Sequence, residues 1–194
     1  MKIYLASKSP RRGELLRQMG IDFELLSIDV PEEIAVNETV DMYSKRVTAD
    51  KLHAAWNNVT TDHLPLMPVL CADTVVVIDQ QILGKPRDYQ DAFAMLKRYS
   101  DSHHHVITSV GLKYEFYEKI VMNLTTVYFS SISDDEIHNY LSTGDYKDKA
   151  GGYGIQGYAG QFIQKIDGCF YSVMGLPLNT VRELLASLLA GHNG

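Results

Sequence analysis

The sequence predicts an α/β fold on a mixed sheet, and three observations carry that expectation. The run "PVLCADTVVVID" at 68–79 is almost continuously apolar and rich in valine, as a strand buried on both faces should be. Amphipathic stretches with recognisable caps lie on both sides of it. Strand-like and helical segments alternate without strict order, which points to a mixed rather than an all-parallel sheet. With 194 residues, 45% of them hydrophobic, the chain can bury one large core. No repeat, low-complexity segment or linker divides it, so a single domain over 1–194 is expected.

Taken in order, the first strand is brief, Ile3 to Ala6, and runs into "LASKSPRRGELL". Ser9 is placed to cap a helix starting at Pro10, where a missing N–H costs nothing, and Gly20 closes that helix after Leu15, Leu16 and Met19. Phe23 to Val30 reads as a second strand, followed by the acidic "PEE" loop, and Thr39 starts a long helix ending near Trp56. After the valine-rich strand, a short return strand around Ile82 leads into "GKPRD". Asp88 with Asp91 forms a variant capping box for a helix through Tyr99. Val106 to Tyr114 and Lys119 to Phe129 read as two long strands that pair. Ser133 with Glu136 makes a capping box for a short helix that stops at Gly144. The glycine-rich segment "DYKDKAGGYGIQGYAG" follows, then "QFIQKIDGCFYSV", read as a hairpin around Asp167 and Gly168. Val181, Leu184, Leu185 and Leu188 mark a final amphipathic helix.

A net charge of −6 argues against a broad electrostatic grip on nucleic acid or on an anionic membrane, so any anion site must be local. Cys71 and Cys169 have apolar neighbours and no metal-type spacing, which suits reduced, buried thiols in a cytosolic protein. No signal-peptide pattern opens the chain and no apolar run is long enough to span a bilayer, so a cytoplasmic location is expected.

Several side chains stand out chemically. A helix start offers free N–H groups and a positive dipole end, and Arg11 and Arg12 add full charges there, a combination suited to phosphate. The competing reading is an ordinary capped helix with solvated arginines; Lys8 is expected to face solvent. The turn is not a Walker loop, since its glycines are missing. On the helix from Thr39, Val40, Tyr43, Val47 and Ala54 mark one face, and Lys51 falls on the same stripe. That lysine either snorkels to water or meets a partner inside. Asp73 supplies a candidate partner, because an isolated carboxylate in a buried strand costs several kcal/mol unless paired or metal-bound. Thr74 beside it points to the opposite face of a regular strand. Lys85 sits in the restricted "GKP" turn, where exposure is the ordinary fate of a lysine. The four glycines of "DKAGGYGIQG" let backbone approach a flat ligand, and Gln156 offers an amide donor and acceptor that suit a base edge. "SHHH" at 102–105 is read as a turn with one histidine inward, since three consecutive histidines cannot face one ion.

In order along the chain, "LASKSPRRGELL", "ADT", "GKPRD", "HVITSV", "DKAGGYGIQG" and "GLPL" resemble the Maf family of nucleoside triphosphate pyrophosphatases. The resemblance spans almost the whole chain and implies a mixed, strongly twisted sheet flanked by helices, with two lobes around a central nucleotide-binding cleft, as in inosine triphosphate pyrophosphatases. It also implies a homodimer. The implied activity is hydrolysis of a nucleoside triphosphate to the monophosphate and pyrophosphate with Mg²⁺ or Mn²⁺, and "DKAGGYGIQG" looks like the branch acting on dTTP and UTP. By the same resemblance, Asp73 is the general base, Lys51 and Lys85 are catalytic lysines, and Glu32 is the second catalytic carboxylate and, with Asp73, a metal ligand. Here "DVPEE" replaces the more common "DE" pair, so Glu33 is the alternative to Glu32. Ser7, Ser9, Arg11, Arg12, Thr74, Lys149 and Gln156 are the implied substrate-binding residues, with Arg11, Thr74 and Gln156 setting base specificity. Gly152 stands where alanine is common, and Asp101 where glycine is common. Two rival readings keep the same residues: a pyrophosphatase for another or a modified nucleotide, and a nucleotide-binding regulator of cell division with little turnover. The intact set Asp73, Lys51 and Lys85 speaks against the regulator, because binding alone does not call for a buried carboxylate beside a phosphate site.

Overall fold

The valine-rich run forms the expected central strand over Val69–Ile78, where every residue except Thr74 is buried. In the computed structural model, which describes residues 1–191, the order is β1 (Lys2–Ala6), α1 (Pro10–Gln18), β2 (Asp22–Leu25), α2 (Val40–Thr61), β3 (Val69–Ile78), β4 (Gln81–Leu83), α3 (Tyr89–Tyr99), β5 (His103–Tyr114), β6 (Tyr117–Phe129), α4 (Asp134–Ser142), β7 (Ile163–Asp167), α5 (Phe170–Met174) and α6 (Leu178–Gly191). Single 3₁₀ turns occupy Ala150–Gly152 and Tyr158–Phe162. The last three residues of the expected 1–194 domain lie outside the described residues. Among those described, seven strands form a mixed sheet in the order β2-β1-β3-β5-β6-β7, with β4 paired to β3. β1 runs parallel to β2 and β3, whereas β3–β4 and β6–β7 are antiparallel. The fold class is the mixed α/β arrangement that the sequence predicts.

The chain divides into two compact units, one from residues 1–73, 108–123 and 175 onward, the other from 74–107 and 124–174. In the first unit, Tyr4, Ala6, Leu52, Ala55, Val59, Val69 and Cys71 form a core between β1, β3 and α2. The buried face of α2 is Tyr43, Ser44, Val47, Thr48, Leu52, Ala55 and Val59, a stripe at steps of three and four residues. Val40 and Ala54, expected in that stripe, are only half-buried and flank it. Thr39 caps α2 by accepting the Met42 N–H (3.3 Å). The helix runs past Trp56 to Thr61, because Val59 is still buried and Thr60 bonds back to the Trp56 and Asn57 carbonyls. β2 is shorter than expected, since β1 ends at Ala6 and residues beyond Leu26, whose N–H reaches the Leu5 carbonyl, have no strand to pair with.

The second unit packs α3, α4 and the glycine-rich segment around Tyr99, Phe129, Tyr140 and Tyr153. Asp88 caps α3 by accepting the Asp91 N–H (2.8 Å), but the Asp91 carboxylate takes the Arg87 N–H (3.0 Å), so the reciprocal arm falls one residue early. α4 has the full capping box of Ser133 and Glu136. Two local expectations are corrected here. "HHH" at 103–105 is the start of β5 rather than a turn, with the side chains alternating so that His104 alone is buried, as expected of one of the three. The hairpin at 167–168 is replaced by a strand followed by helix α5: after β7 pairs with β6, Gly168 (φ 128°) turns the chain, and the Cys169 carbonyl accepts the Ser172 N–H to begin a helical turn. Gly168 lies so close to Thr125 that a Cβ would meet its hydroxyl at 2.7 Å, a tertiary constraint invisible in the turn dipeptide.

Candidate active site

Asp73, on β3, is the last residue of the first stretch of the first unit. Residues on one face of a strand recur every second position, so Asp73 shares its face with Cys71, itself packed in the core against α2. Lys51, half-buried on α2, reaches across and donates to Asp73 Oδ1 at 2.7 Å. The same ammonium lies 2.7 Å from Glu32 Oε1. One lysine therefore bridges two carboxylates of very different exposure, with 10% of the Asp73 side chain and 55% of the Glu32 side chain open to solvent. The buried second oxygen, Asp73 Oδ2, has no hydrogen-bond partner. Sequence reasoning left Glu32 and Glu33 as alternatives; it is Glu32 that Lys51 engages, while Glu33 offers its carbonyl to Arg46 (2.9 Å).

The opening turn is held from the far end of the chain. Arg12 Nε donates to the Gly175 carbonyl (2.8 Å), and Arg12 Nη1 donates to Ser7 Oγ (3.0 Å), which also accepts the Ser9 N–H (3.2 Å). Ser9 stands at the N-cap of α1, but its side chain makes no capping bond, so the expected cap is corrected: Ser7 turns the backbone into the helix instead. Burial holds the Arg12 guanidinium below its ordinary pKa, opposed by the carboxylate of Asp73. Arg11 is half-buried beside it. Lys8 points outward to Asp29, as expected of a solvent-facing residue. Tyr43, one of the residues that sequence reasoning placed only in a stripe, donates to the Glu32 carbonyl (2.9 Å). Burial, reinforced by Asp73 and Glu32, pushes its hydroxyl up to about 12. Burial likewise pushes the Cys71 thiol up to about 12, with Lys51 and Arg12 opposing.

The remaining candidates belong to the second unit. Thr74 follows Asp73 in the unbroken β3, half-buried. Lys85 is exposed, with no ion pair among the described residues. Its turn is tied to the glycine-rich segment by the bond from the Gly151 N–H to the Gly84 carbonyl (2.9 Å). Gln156 is exposed in the same segment. The Lys149 ammonium is engaged by Asp145, through its carbonyl and through Oδ1 at 2.7 Å. Asp145 escaped sequence reasoning; its separation from Lys149 by four positions was the available signal. The bare backbones of Gly154 and Gly157 make room for this pair, since a Cβ at either would meet Lys149 or Asp145 within 3 Å.

A divalent cation fits the donor set of the first unit. Among the described residues no three of His, Cys, Asp and Glu cluster in a metal-like group. Mg²⁺ and Mn²⁺, however, bind through one or two carboxylates and complete their shell with water and substrate phosphates. The unpartnered Asp73 Oδ2 and the solvent-facing carboxylate of Glu32 are suitable ligands.

Fold and side chains together define a class: an α/β protein with a buried carboxylate, a bridging lysine and an arginine-serine turn in one unit. A family model described as Maf-like protein matches residues 2–188, and the chain belongs to the Maf family. Curated relatives named dTTP/UTP pyrophosphatase include those of Photobacterium profundum (46% identical, covering 92% of each chain) and Chromobacterium violaceum (43%, covering 95% of this chain and 93% of that one). The relative of the same name from Aliivibrio fischeri is 43% identical, covering 97% and 98%. Among solved structures, the Staphylococcus aureus Ham1 protein aligns with 66% of this chain and 72% of its own at 10% identity and a TM-score of 0.42, a likeness too slight to bear on fold or chemistry. Among the described residues no helix is long and apolar enough to cross a membrane.

Proposed function

We propose that this chain hydrolyses dTTP and UTP to the nucleoside monophosphate and pyrophosphate. The observation that carries the reading is the Asp73 carboxylate, buried, held through one oxygen by Lys51 and unpartnered at the other, in a chain 43–46% identical over nearly its full length to proteins named for that activity. In the reaction, a water oxygen attacks the α-phosphorus, the bond from the α-phosphorus to the α–β bridging oxygen breaks, and pyrophosphate leaves. Asp73 Oδ2 orients that water and accepts its proton. Lys51 holds Asp73 and Glu32 side by side and offsets one of their two negative charges. Arg12, anchored to Gly175 and Ser7, adds positive charge for the phosphates. A divalent cation on Asp73 and Glu32 would neutralise phosphate charge and polarise the phosphorus centre. Family resemblance alone supports a catalytic role for Lys85, assigning Ser7, Ser9 and Lys149 to the substrate and Arg11, Thr74 and Gln156 to the base, and taking the protein as a cytoplasmic homodimer. For Lys149 that role requires exchanging Asp145 for the ligand.

The test is chromatographic product analysis with dTTP, UTP, CTP, dATP, GTP and 7-methyl-GTP in magnesium or manganese, for the wild type and Asp73→Asn. The expected result is monophosphate plus pyrophosphate from dTTP and UTP, with turnover at least about a hundredfold lower in the variant. Orthophosphate with a nucleoside diphosphate, or binding without turnover, would overturn the reading.

A further inference from the structure

The segment carrying Glu32 is an improbable mount for a site residue. Residues 31–37 are all exposed and have no regular secondary structure, and Asn37 takes a positive φ of 62°. Such a segment ordinarily samples many conformations and would scatter its side chains. Here it is pinned from one side by α2. Tyr43 Oη donates to the Glu32 carbonyl (2.9 Å) and Arg46 Nη2 to the next carbonyl, Glu33 (2.9 Å). Arg46 also forks onto Glu38, Nε to Oε1 at 2.6 Å and Nη2 to Oε2 at 2.9 Å, and Nη1 reaches Asp50 at 3.2 Å. Glu38 returns the connection to the segment, accepting the Ala35 N–H (3.0 Å), while its own N–H goes to the Ala35 carbonyl (3.1 Å). The hydrogen bond from Arg46 and then that from the Ala35 amide hold the Glu38 carboxyl at about 2, so the fork stays ionised at any neutral working pH.

Spacing explains what this achieves. Tyr43, Val47 and Lys51 succeed one another at intervals of four on α2, so the first and last stand on one face about two turns, roughly 12 Å, apart. Both touch the same residue, Tyr43 at the Glu32 backbone and Lys51 at its carboxylate. Two contacts from a rigid helix fix both the position of Glu32 and the direction in which it points.

We propose that Tyr43 and Arg46 are positioning residues for the reaction, holding the 32–38 segment on α2 so that the Glu32 carboxylate stays beside Lys51 and Asp73. The proposal rests on the reading of Glu32 as a site carboxylate. Neither residue touches the reacting atoms; both act through Glu32.

A double-mutant cycle tests it. Tyr43→Phe, which removes one hydroxyl, should lower kcat for dTTP about tenfold with KM changed less than about twofold, as expected of a displaced catalytic group rather than a lost binding contact. In a Glu32→Gln background the same substitution should cost nothing further. Arg46→Met should behave alike, and in the free protein it should speed hydrogen exchange at the Ala35 and Glu38 amides, a readout independent of turnover. Losses that multiply across Tyr43→Phe and Glu32→Gln would overturn the proposal, as would unchanged exchange in Arg46→Met. Should Glu32→Gln alone leave kcat intact, the reading of Glu32 fails and the proposal with it, while the pyrophosphatase reading still stands or falls on Asp73→Asn. Should the wild type release no pyrophosphate, that reading fails by itself and the exchange experiment decides whether the clamp exists.

Discussion

Two adjacent glycines give a sharp stability prediction. Gly151 and Gly152 both take positive φ, 70° and 73°, so alanine at either carries the left-handed backbone penalty of about 1 kcal/mol. Their surroundings differ. A Cβ on Gly151 would lie 2.7 Å from the Tyr99 hydroxyl and 2.8 Å from Val76 Cγ2, both in the buried core, and Tyr99 donates to the Gly151 carbonyl (2.9 Å). Neither neighbour can retreat without moving α3 or β3, so overpacking of about 1–3 kcal/mol and loss of a buried hydrogen bond worth about 1 kcal/mol are added. A Cβ on Gly152 would find Pro86, Met95 and Ala92 at 3.6–4.0 Å, ordinary contact distance. There the buried methyl, worth about 0.8 kcal/mol, offsets most of the strain. Gly151→Ala should therefore cost about 3–5 kcal/mol and Gly152→Ala close to nothing. Urea titrations followed by far-ultraviolet circular dichroism would measure both, and thermal midpoints should separate by roughly 6–20 °C for a chain of this size. Equal destabilisation by the two alanines would refute the steric reasoning and leave backbone strain as the whole effect.

Two further predictions concern titratable groups in the cores. Burial pushes His104 down to about 3, with smaller contributions from His105 and His103. The unfolded histidine titrates near 6.5, so between these values the unfolded chain binds more protons; the contribution of neutral His104 is full above about pH 6.5 and is lost as pH falls toward 3. Urea stability at pH 4.5 and 7.5 should differ by about 2–3 kcal/mol less in His104→Gln than in the wild type, and equal differences would refute the assignment. For the thiols, Cys71 is fully buried and pushed up to about 12, whereas Cys169 is half-buried. At pH 8 a thiol-specific disulfide reagent should titrate one cysteine of the native protein, Cys169, and two after unfolding; rapid reaction of Cys71 in the native state would contradict its packing.

Local signals carried much of the fold. The Ser133–Glu136 box, the Thr39 and Asp88 caps and the valine-rich β3 depend on residues a few positions apart, so they were readable in one dimension. Failures occurred where a distant partner decided the outcome. β2 stops because β1 stops, and Asp167-Gly168 leads into a helix because Gly168 is pressed against Thr125 of β6. Ser9 makes no capping bond, and its own N–H goes to the Ser7 hydroxyl, which is fixed in turn by Arg12 from the next turn and by that arginine's hold on Gly175.

For the candidate site, the sequence by itself determined its ingredients. A carboxylate at position 73 of a strand that is otherwise apolar, a lysine at 51 on the inward side of a helix and the paired arginines at 11 and 12 were each set by pattern and chemistry. Only the tertiary structure decided that one ammonium serves both Asp73 and Glu32, that Glu32 rather than Glu33 is engaged, that Asp145 occupies Lys149, and that Tyr43 and Arg46 grip the acidic segment. The reason is physical. Periodicity and capping report which way a residue faces along its own element, whereas an ion pair or a backbone anchor depends on where another element, remote in sequence, delivers its atoms to within about 3 Å.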